Sequence, residues 1–220
     1  MFILINKARG ITSHGVVDCV RKISGERKVG HAGTLDPNAE GLLILGVGRE
    51  STKNLNKFLK MKKTYEAQIC LGIETTTNDS EGIIVSKSKG VLIPSINEVK
   101  MVLNSFEGKQ KQNPPIYSAI KIKGKKAYEL ARMGKIFNLK PRKIEIYSIK
   151  LISYKYPLLI FEVNVSSGTY IRALARDIGK KIGCGAYLTN LKRTKIDKYS
   201  INDSIPLYLL NKDNIKKFRI

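Results

Sequence analysis

Hydrophobic and polar positions alternate with a period of two in several stretches. Tyr65 to Leu71 places Tyr65, Ala67, Ile69 and Leu71 on one face, and Ile144 to Tyr154 and Leu158 to Ser166 form two longer alternating runs joined at Lys155 to Pro157. That period belongs to half-buried strands, and the short joint predicts an antiparallel pair. Phe2 to Asn6 reads as a first strand. Val16, Val17, Val20 and Ile23 recur at helical spacing, predicting a helix capped by Ser13 and ending near Gly25. Ala39 to Leu45 carries the chain into the core, Lys53 to Met61 reads as a basic surface helix, and the polar turn Thr75 to Gly82 leads through Ile83 to Val85 as a hairpin. Ser95 with Glu98 makes a capping box before a helix from Ile96 to Phe106. Lys109 to Pro115 reads as a polar connection, Ile116 to Lys135 as a strand, a basic turn and a short helix, and a glycine turn feeds a helix from Tyr170 to Ile182. Strands and helices do not alternate regularly. The expected fold class is therefore α+β, a mainly antiparallel or mixed central sheet flanked by helices, rather than a doubly wound parallel sheet.

A chain of 220 residues can bury one substantial core, or one domain with an insertion. Composition changes the picture through charge: 40 Lys and Arg against 18 Asp and Glu give +22. That excess exceeds what solubility needs and points to a polyanionic partner, nucleic acid first, although a lysine-rich composition spreads charge without a partner too. The clusters at Lys57 to Lys63, Lys121 to Lys126 and Lys140 to Lys143 favour a nucleic-acid footprint, with Lys28, Lys63, Lys121, Lys123, Lys125, Lys126 and Arg193 as candidate phosphate contacts. No apolar run spans a bilayer and no leader precedes the first strand, so no membrane partner is expected. Cys19, Cys70 and Cys184 fit neither a disulfide framework nor a zinc site, which makes a cytoplasmic location the default.

Candidate chemistry concentrates in Arg27 to Gly46, RKVGHAGTLDPNAEGLLILG, where Asp36 stands in a glycine-punctuated turn before an apolar run. Gly30 and Gly33 open backbone conformations closed to other residues, and Pro37 fixes φ beside the acid, so the backbone aims the carboxylate. A helix N-cap or Asx turn at Asp36, with Pro37 opening a helix, explains the same residues. Tyr65 is open to a core role, Arg172 to a surface one and His31 to a turn, while Leu191 is core on either reading.

Several segments together resemble the bacterial tRNA pseudouridine synthase B family: GHAGTLDPNAEGLL, KKTYEAQICLGIETTTNDSEG, QNPPIYSAIKIKGKKAYELARMG and SSGTYIRALARDIGKKIGCGAYLTNLKRT, in that order. The resemblance implies the pseudouridine synthase fold and isomerisation of the T-loop uridine of tRNA by base flipping, with aspartate-dependent cleavage and re-formation of the glycosidic bond. It implies that Asp36 is the catalytic aspartate, that Tyr65 stacks on the target base and that Arg172 pairs with the carboxylate. His31 then engages the T loop, Leu191 lines the uracil pocket, and Tyr170 lies on the substrate in the motif that holds Arg172. No cofactor and no metal are implied, in keeping with a sequence that lacks a P-loop, a dinucleotide fingerprint or a ligand cluster.

Residues 1 to 205 are expected to form the catalytic domain, with an RNA-contacting insertion at about 108 to 140. Residues 206 to 220 are expected to be a short basic tail without the RNA-binding domain of PUA type that many family members carry. The family's Asp-Lys-Pro after the first strand reads Asn6-Lys7-Ala8 here, which loosens a turn without touching the chemistry. A monomer acting on the T arm of tRNA is expected. One rival is a noncatalytic basic RNA-binding or tRNA-folding protein of the same fold; another is a glycoside hydrolase using Asp36 and Glu40 from one helix face.

Overall fold

The computed structural model describes residues 1–88, 93–122, 124–218 and 220. Along the chain the strands are β1 (Phe2–Lys7), β2 (Val29–Ala32), β3 (Glu40–Val47), β4 (Lys63–Leu71), β5 (Ile73–Thr75), β6 (Ile84–Lys87), β7 (Gly108–Gln112), β8 (Lys121–Ile122), β9 (Lys125–Lys126), β10 (Arg142–Lys155), β11 (Leu158–Val165), β12 (Ala186–Ile196), β13 (Tyr199–Ser200) and β14 (Ile205–Pro206). The α-helices are α1 (Ser13–Ser24), α2 (Arg49–Lys53), α3 (Asn56–Leu59), α4 (Ile96–Asn104), α5 (Ala127–Arg132) and α6 (Ile171–Ile182). Two compact units divide them: Met1–Glu66 with Asn190–Ile220, and Ala67–Thr189. Strands β4 and β12 each give residues to both.

In the first unit the strands pair in the order β14, β1, β3, β12, β4, with β2 on β3 and β13 on β12. Strand β1 is antiparallel to β3 and parallel to β14, so the sheet is mixed, as the α+β expectation requires. Both faces are covered. Ile3, Ile5, Leu43 and Leu45 join Val16, Val17 and Val20 of α1 in one cluster, while Leu4, Leu42 and Ile44 join Leu55 and Phe58 in another. Burial on both sides is why Leu42 to Leu45 reads as an unbroken apolar run. Leu210 and Ile215 bury in the α1 cluster, so residues beyond 206 contribute to this core.

Strand β12 meets β3 in parallel, Arg193 opposite Gly41. The approach is close enough that a Cβ on Gly41, whose φ is +111°, would lie 2.3 Å from the Arg193 carbonyl oxygen. Only glycine fits both the left-handed backbone and the gap.

In the second unit the order is β12, β4, β11, β10, β7. The antiparallel β10 and β11 pair as expected; Leu159, Phe161, Val163 and Val165 of β11 are buried on one face, and α4 packs against β10 and α6. The Ser95 and Glu98 capping box and the β5–β6 hairpin also follow the pattern.

Three local expectations are corrected. Thr12, not Ser13, caps α1, its hydroxyl accepting from Gly15 N; Ser13 is 2% exposed and exchanges hydrogen bonds with the backbone of Leu35 instead. The basic helix of 53 to 61 is two short helices, α2 and α3, broken at Asn54 and Leu55. Residues 108 to 112 form the strand β7 on β10, because Glu145 and its neighbours offer an edge ladder to a segment too polar to signal a strand.

Candidate active site

The loop that carries Asp36 is fixed by side chains from three directions within the first unit. Arg193, only 1% exposed, donates from Nη2 to Gly33 O (2.9 Å) and from Nε to Leu42 O (2.7 Å). Lys7, fully buried, donates from Nζ to Ala8 O (3.0 Å), Ile11 O (2.7 Å) and Pro37 O (3.2 Å). Ser13 Oγ donates to Leu35 O (3.0 Å) and accepts from Leu35 N (2.9 Å). Two backbone bonds close the turn, Gly10 N to Pro37 O (2.9 Å) and Ala39 N to Asp36 O (3.0 Å). The side chain of Asp36 is nevertheless exposed. An exposed carboxylate on an immobilised loop is preorganised to meet a substrate without paying for its own ordering.

That geometry also removes one alternative for the stretch. A turn and then strand β3, not a helix, follow Pro37, so Asp36 is no helix N-cap and shares no helix face with Glu40.

Charge inside this unit is held in check by burial. Desolvation lowers the Lys7 amine from 10.5 to about 8, the nearby Arg193 guanidinium pushing the same way and Asp36 opposing it. Lys63, 6% exposed, is likewise lowered to about 8 by burial and then by Arg193, and it donates to Phe58 O (3.4 Å), Leu59 O (2.7 Å) and Met61 O (2.6 Å). The reach toward a phosphate expected of Lys63 and Arg193 is thus spent on main-chain carbonyls. His31, on β2, has its pKa lowered by burial first, then by Arg193 and His14, and its Nδ1 is buried without a hydrogen-bond partner. The ring is therefore neutral near pH 7. Tyr65 on β4 and Leu191 on β12 each keep 9% of their surface, while Lys28 is exposed.

Arg172 and Tyr170 belong to the second unit. Tyr170 is the N-cap residue of α6, and Arg172 follows in the first turn at 8% exposure. The guanidinium approaches Asp79 Oδ2 at 3.3 Å from Nη1 and donates to Thr77 O (3.3 Å) and Tyr117 O (2.9 Å). Asp79 is itself set in a turn, its Oδ1 accepting from the Thr77 hydroxyl and from Glu81 N at 3.0 Å. Lys121, Lys125 and Lys126 are exposed around the β8–β9 hairpin; Lys123 lies outside the described residues.

Sequence reasoning missed Lys7, Ser13 and Asp79. Asp79 sits in TTTNDSEG, where every polar residue is equally at home in a turn, and no local pattern ties it to a helix that begins at Ile171. Among the described residues there is no group of three or more His, Cys, Asp or Glu side chains able to hold a metal ion. None of the described helices is long and apolar enough to cross a membrane.

The fold has solved counterparts. A Cbf5-Nop10-Gar1 complex contains a chain matched with a TM-score of 0.72 and 28% identity, over 94% of this chain and 52% of that one. A structure described as an H/ACA RNP bound to a substrate RNA containing 2'-deoxyuridine gives 0.69 and 26%, over 94% and 51%. The chain thus spans about half the length of either counterpart.

At the level of sequence, residues 21–171 match the TruB family pseudouridylate synthase N-terminal domain, and residues 172–215 match the tRNA pseudouridylate synthase B C-terminal domain. Similar curated proteins carry the name tRNA pseudouridine synthase B. The one from Protochlamydia amoebophila is 44% identical over 92% of this chain and 76% of its own, and that from Aquifex aeolicus 45% over 93% and 71%. The chain belongs to the TruB family of pseudouridylate synthases.

Proposed function

We propose that this protein isomerises uridine to pseudouridine in the T loop of tRNA, and the observation that carries the reading is an exposed Asp36 on a loop immobilised by Arg193, Lys7 and Ser13 in a chain of the TruB family. The reaction breaks N1–C1′, turns the uracil while it stays enclosed, and joins C5 to C1′; the C5 proton leaves, and one returns to nitrogen. Electrons and phosphate are not exchanged, so the protein has only to extrude, hold and reorient a base.

Asp36 supplies the carboxylate that acts on the everted nucleoside. Arg172 pairs with it through charge-assisted hydrogen bonds, which fix the direction of the carboxylate. Tyr65 stacks on the uracil, a contact worth about 1 to 3 kcal/mol per base. Leu191 lines the pocket, Tyr170 rests against the substrate, and His31 engages the T loop. Lys28, Lys121, Lys125 and Lys126 reach phosphates, while Lys63 and Arg193 serve the RNA indirectly by fixing the loop and strand ends beside it. The insertion at about 108 to 140 closes on the T arm as part of the catalytic domain, whose core is joined by residues beyond 206. The protein works as a monomer in the cytoplasm, where its unpaired cysteines stay reduced.

A T-arm RNA tritiated at C5 of its target uridine tests the reading. Release of tritium by the wild type, lost in Asp36→Asn, is expected. Binding of the RNA with no release would instead make the chain a noncatalytic RNA-binding protein.

A further inference from the structure

Gln112 closes the edge strand β7, yet it is 3% exposed, and its carboxamide is turned toward the start of α6. Its Nε2 donates to Tyr170 O (3.1 Å) and its Oε1 accepts from Tyr170 N (2.9 Å). A side chain thereby makes the reciprocal exchange that two residues make across an antiparallel ladder. The place matters because Tyr170 is the N-cap residue of α6 and offers no side-chain cap of its own. Ile171 and Arg172 follow directly, so the backbone that Gln112 holds lies two residues before the root of the Arg172 side chain.

The chain just beyond Gln112 is held by the same helix. Arg176 Nη2 donates to Asn113 O (3.1 Å), and Arg172 Nη2 donates to Tyr117 O (2.9 Å). Asp79 holds the tip of the Arg172 guanidinium at 3.3 Å. A carboxylate thus holds the fork of the guanidinium, and an amide holds the backbone two residues before the Arg172 side chain begins. A long side chain amplifies small rotations of its root, and displacements near 1 Å cost about a hundredfold where a group must meet a reacting centre.

We propose that Gln112 is a positioning residue of the reaction: its carboxamide, locked onto the backbone of Tyr170, sets the first turn of α6 and through it the aim of Arg172. The inference rests on the reading that Arg172 serves Asp36. A carboxamide suits the place because Tyr170 presents a donor and an acceptor together, and near neutral pH an amide answers both where an ionised carboxylate cannot. A glutamate here accepts from Tyr170 N but sets an oxygen against Tyr170 O.

The experiment measures single-turnover tritium release with enzyme in excess over a T-arm RNA, for the wild type, Gln112→Ala, Gln112→Glu, Arg172→Lys and Gln112→Ala in the Arg172→Lys background. Gln112→Ala is expected to slow turnover roughly ten- to a hundredfold, the range seen when an outer partner of a functional group is lost, with RNA affinity within about twofold. In the Arg172→Lys background the same substitution costs less than about threefold, because effects acting through one group do not multiply. Should Gln112→Ala not fold, Gln112→Glu decides: its rate relative to the wild type recovers as pH falls from about 7.5 to about 5.5 and protonation restores the donor. A Gln112 variant that melts at a lower temperature but turns over at the wild-type rate, or losses that multiply in the double variant, would overturn the proposal. A wild type that releases no tritium defeats the reading of function instead, a result distinguishable from any ordering among the variants.

Discussion

Arg172 and Asp79 approach to 3.3 Å between Nη1 and Oδ2, with side chains 9% and 16% exposed. At that burial the carboxylate fixes the direction of the guanidinium as well as neutralising it. Asp79→Ala is expected to lower turnover by about ten- to a hundredfold. Asp79→Asn, which keeps an acceptor, should lose less. Tritium release under saturating RNA checks both; equal rates for Asp79→Ala and the wild type would show that Arg172 needs no such partner.

Arg193 supplies the donors that satisfy Gly33 O and Leu42 O. With Arg193→Met both carbonyls lose their partner in a buried place, at about 1 to 3 kcal/mol for each group left unsatisfied. The urea midpoint should fall, and activity should fall further than stability explains, because the Asp36 loop loosens with it. An unchanged midpoint would contradict the role assigned to Arg193.

Much of this molecule was readable beforehand. Val16, Val17 and Val20 lie where helical spacing puts them, and Leu159 to Val165 alternate as a strand must. What the pattern hid were polar residues with unusual duties. Lys7 and Arg193 look like surface cations, and the hydrophobic period says nothing about a lysine whose amine satisfies three carbonyls. Strand β7, GKQKQ, has no apolar position to announce it; it forms because β10 leaves an edge to fill. Which polar residues meet is a tertiary fact, as Asp79 with Arg172 shows, and local sequence does not encode it.

Gly41→Ala places a methyl group 2.3 Å from a carbonyl oxygen on a backbone at φ +111°. Neither the strain nor the clash can relax without parting β3 from β12. Destabilisation of about 3 kcal/mol or more is expected. Thermal melting checks it, and a variant melting within a degree or so of the wild type would mean that the two strands separate without cost.

Lys7 and Lys63 give stability an unusual pH dependence. Each amine titrates near 8 when folded and near 10.5 when unfolded, so between these values the unfolded chain binds more protons. Stability therefore rises with pH across that window, where a lysine in an ion pair would show the reverse. Comparing urea midpoints of the wild type and Lys7→Met at about pH 7.5 and about pH 9.5 isolates the contribution; the gap should shift in favour of the wild type at the higher pH. A constant gap would mean that the Lys7 amine titrates alike in both states.

The formal charge of +22 makes RNA affinity a function of salt. Removing an exposed lysine proposed to reach a phosphate, as in Lys125→Ala or Lys126→Ala, should lower the slope of log affinity against log salt by roughly one. A nearly flat dependence in the wild type would argue against phosphate contacts as the main source of binding.

The turn around Asp36 receives one of its clamps from Arg193, 160 positions further along the chain. Closing so wide a span carries an entropic toll that local turns escape, and contacts of that separation slow folding. The turn therefore gains this clamp only once β12 has paired with β3. A stretch of chain ending ahead of β12 carries Asp36 on a turn that lacks this guanidinium.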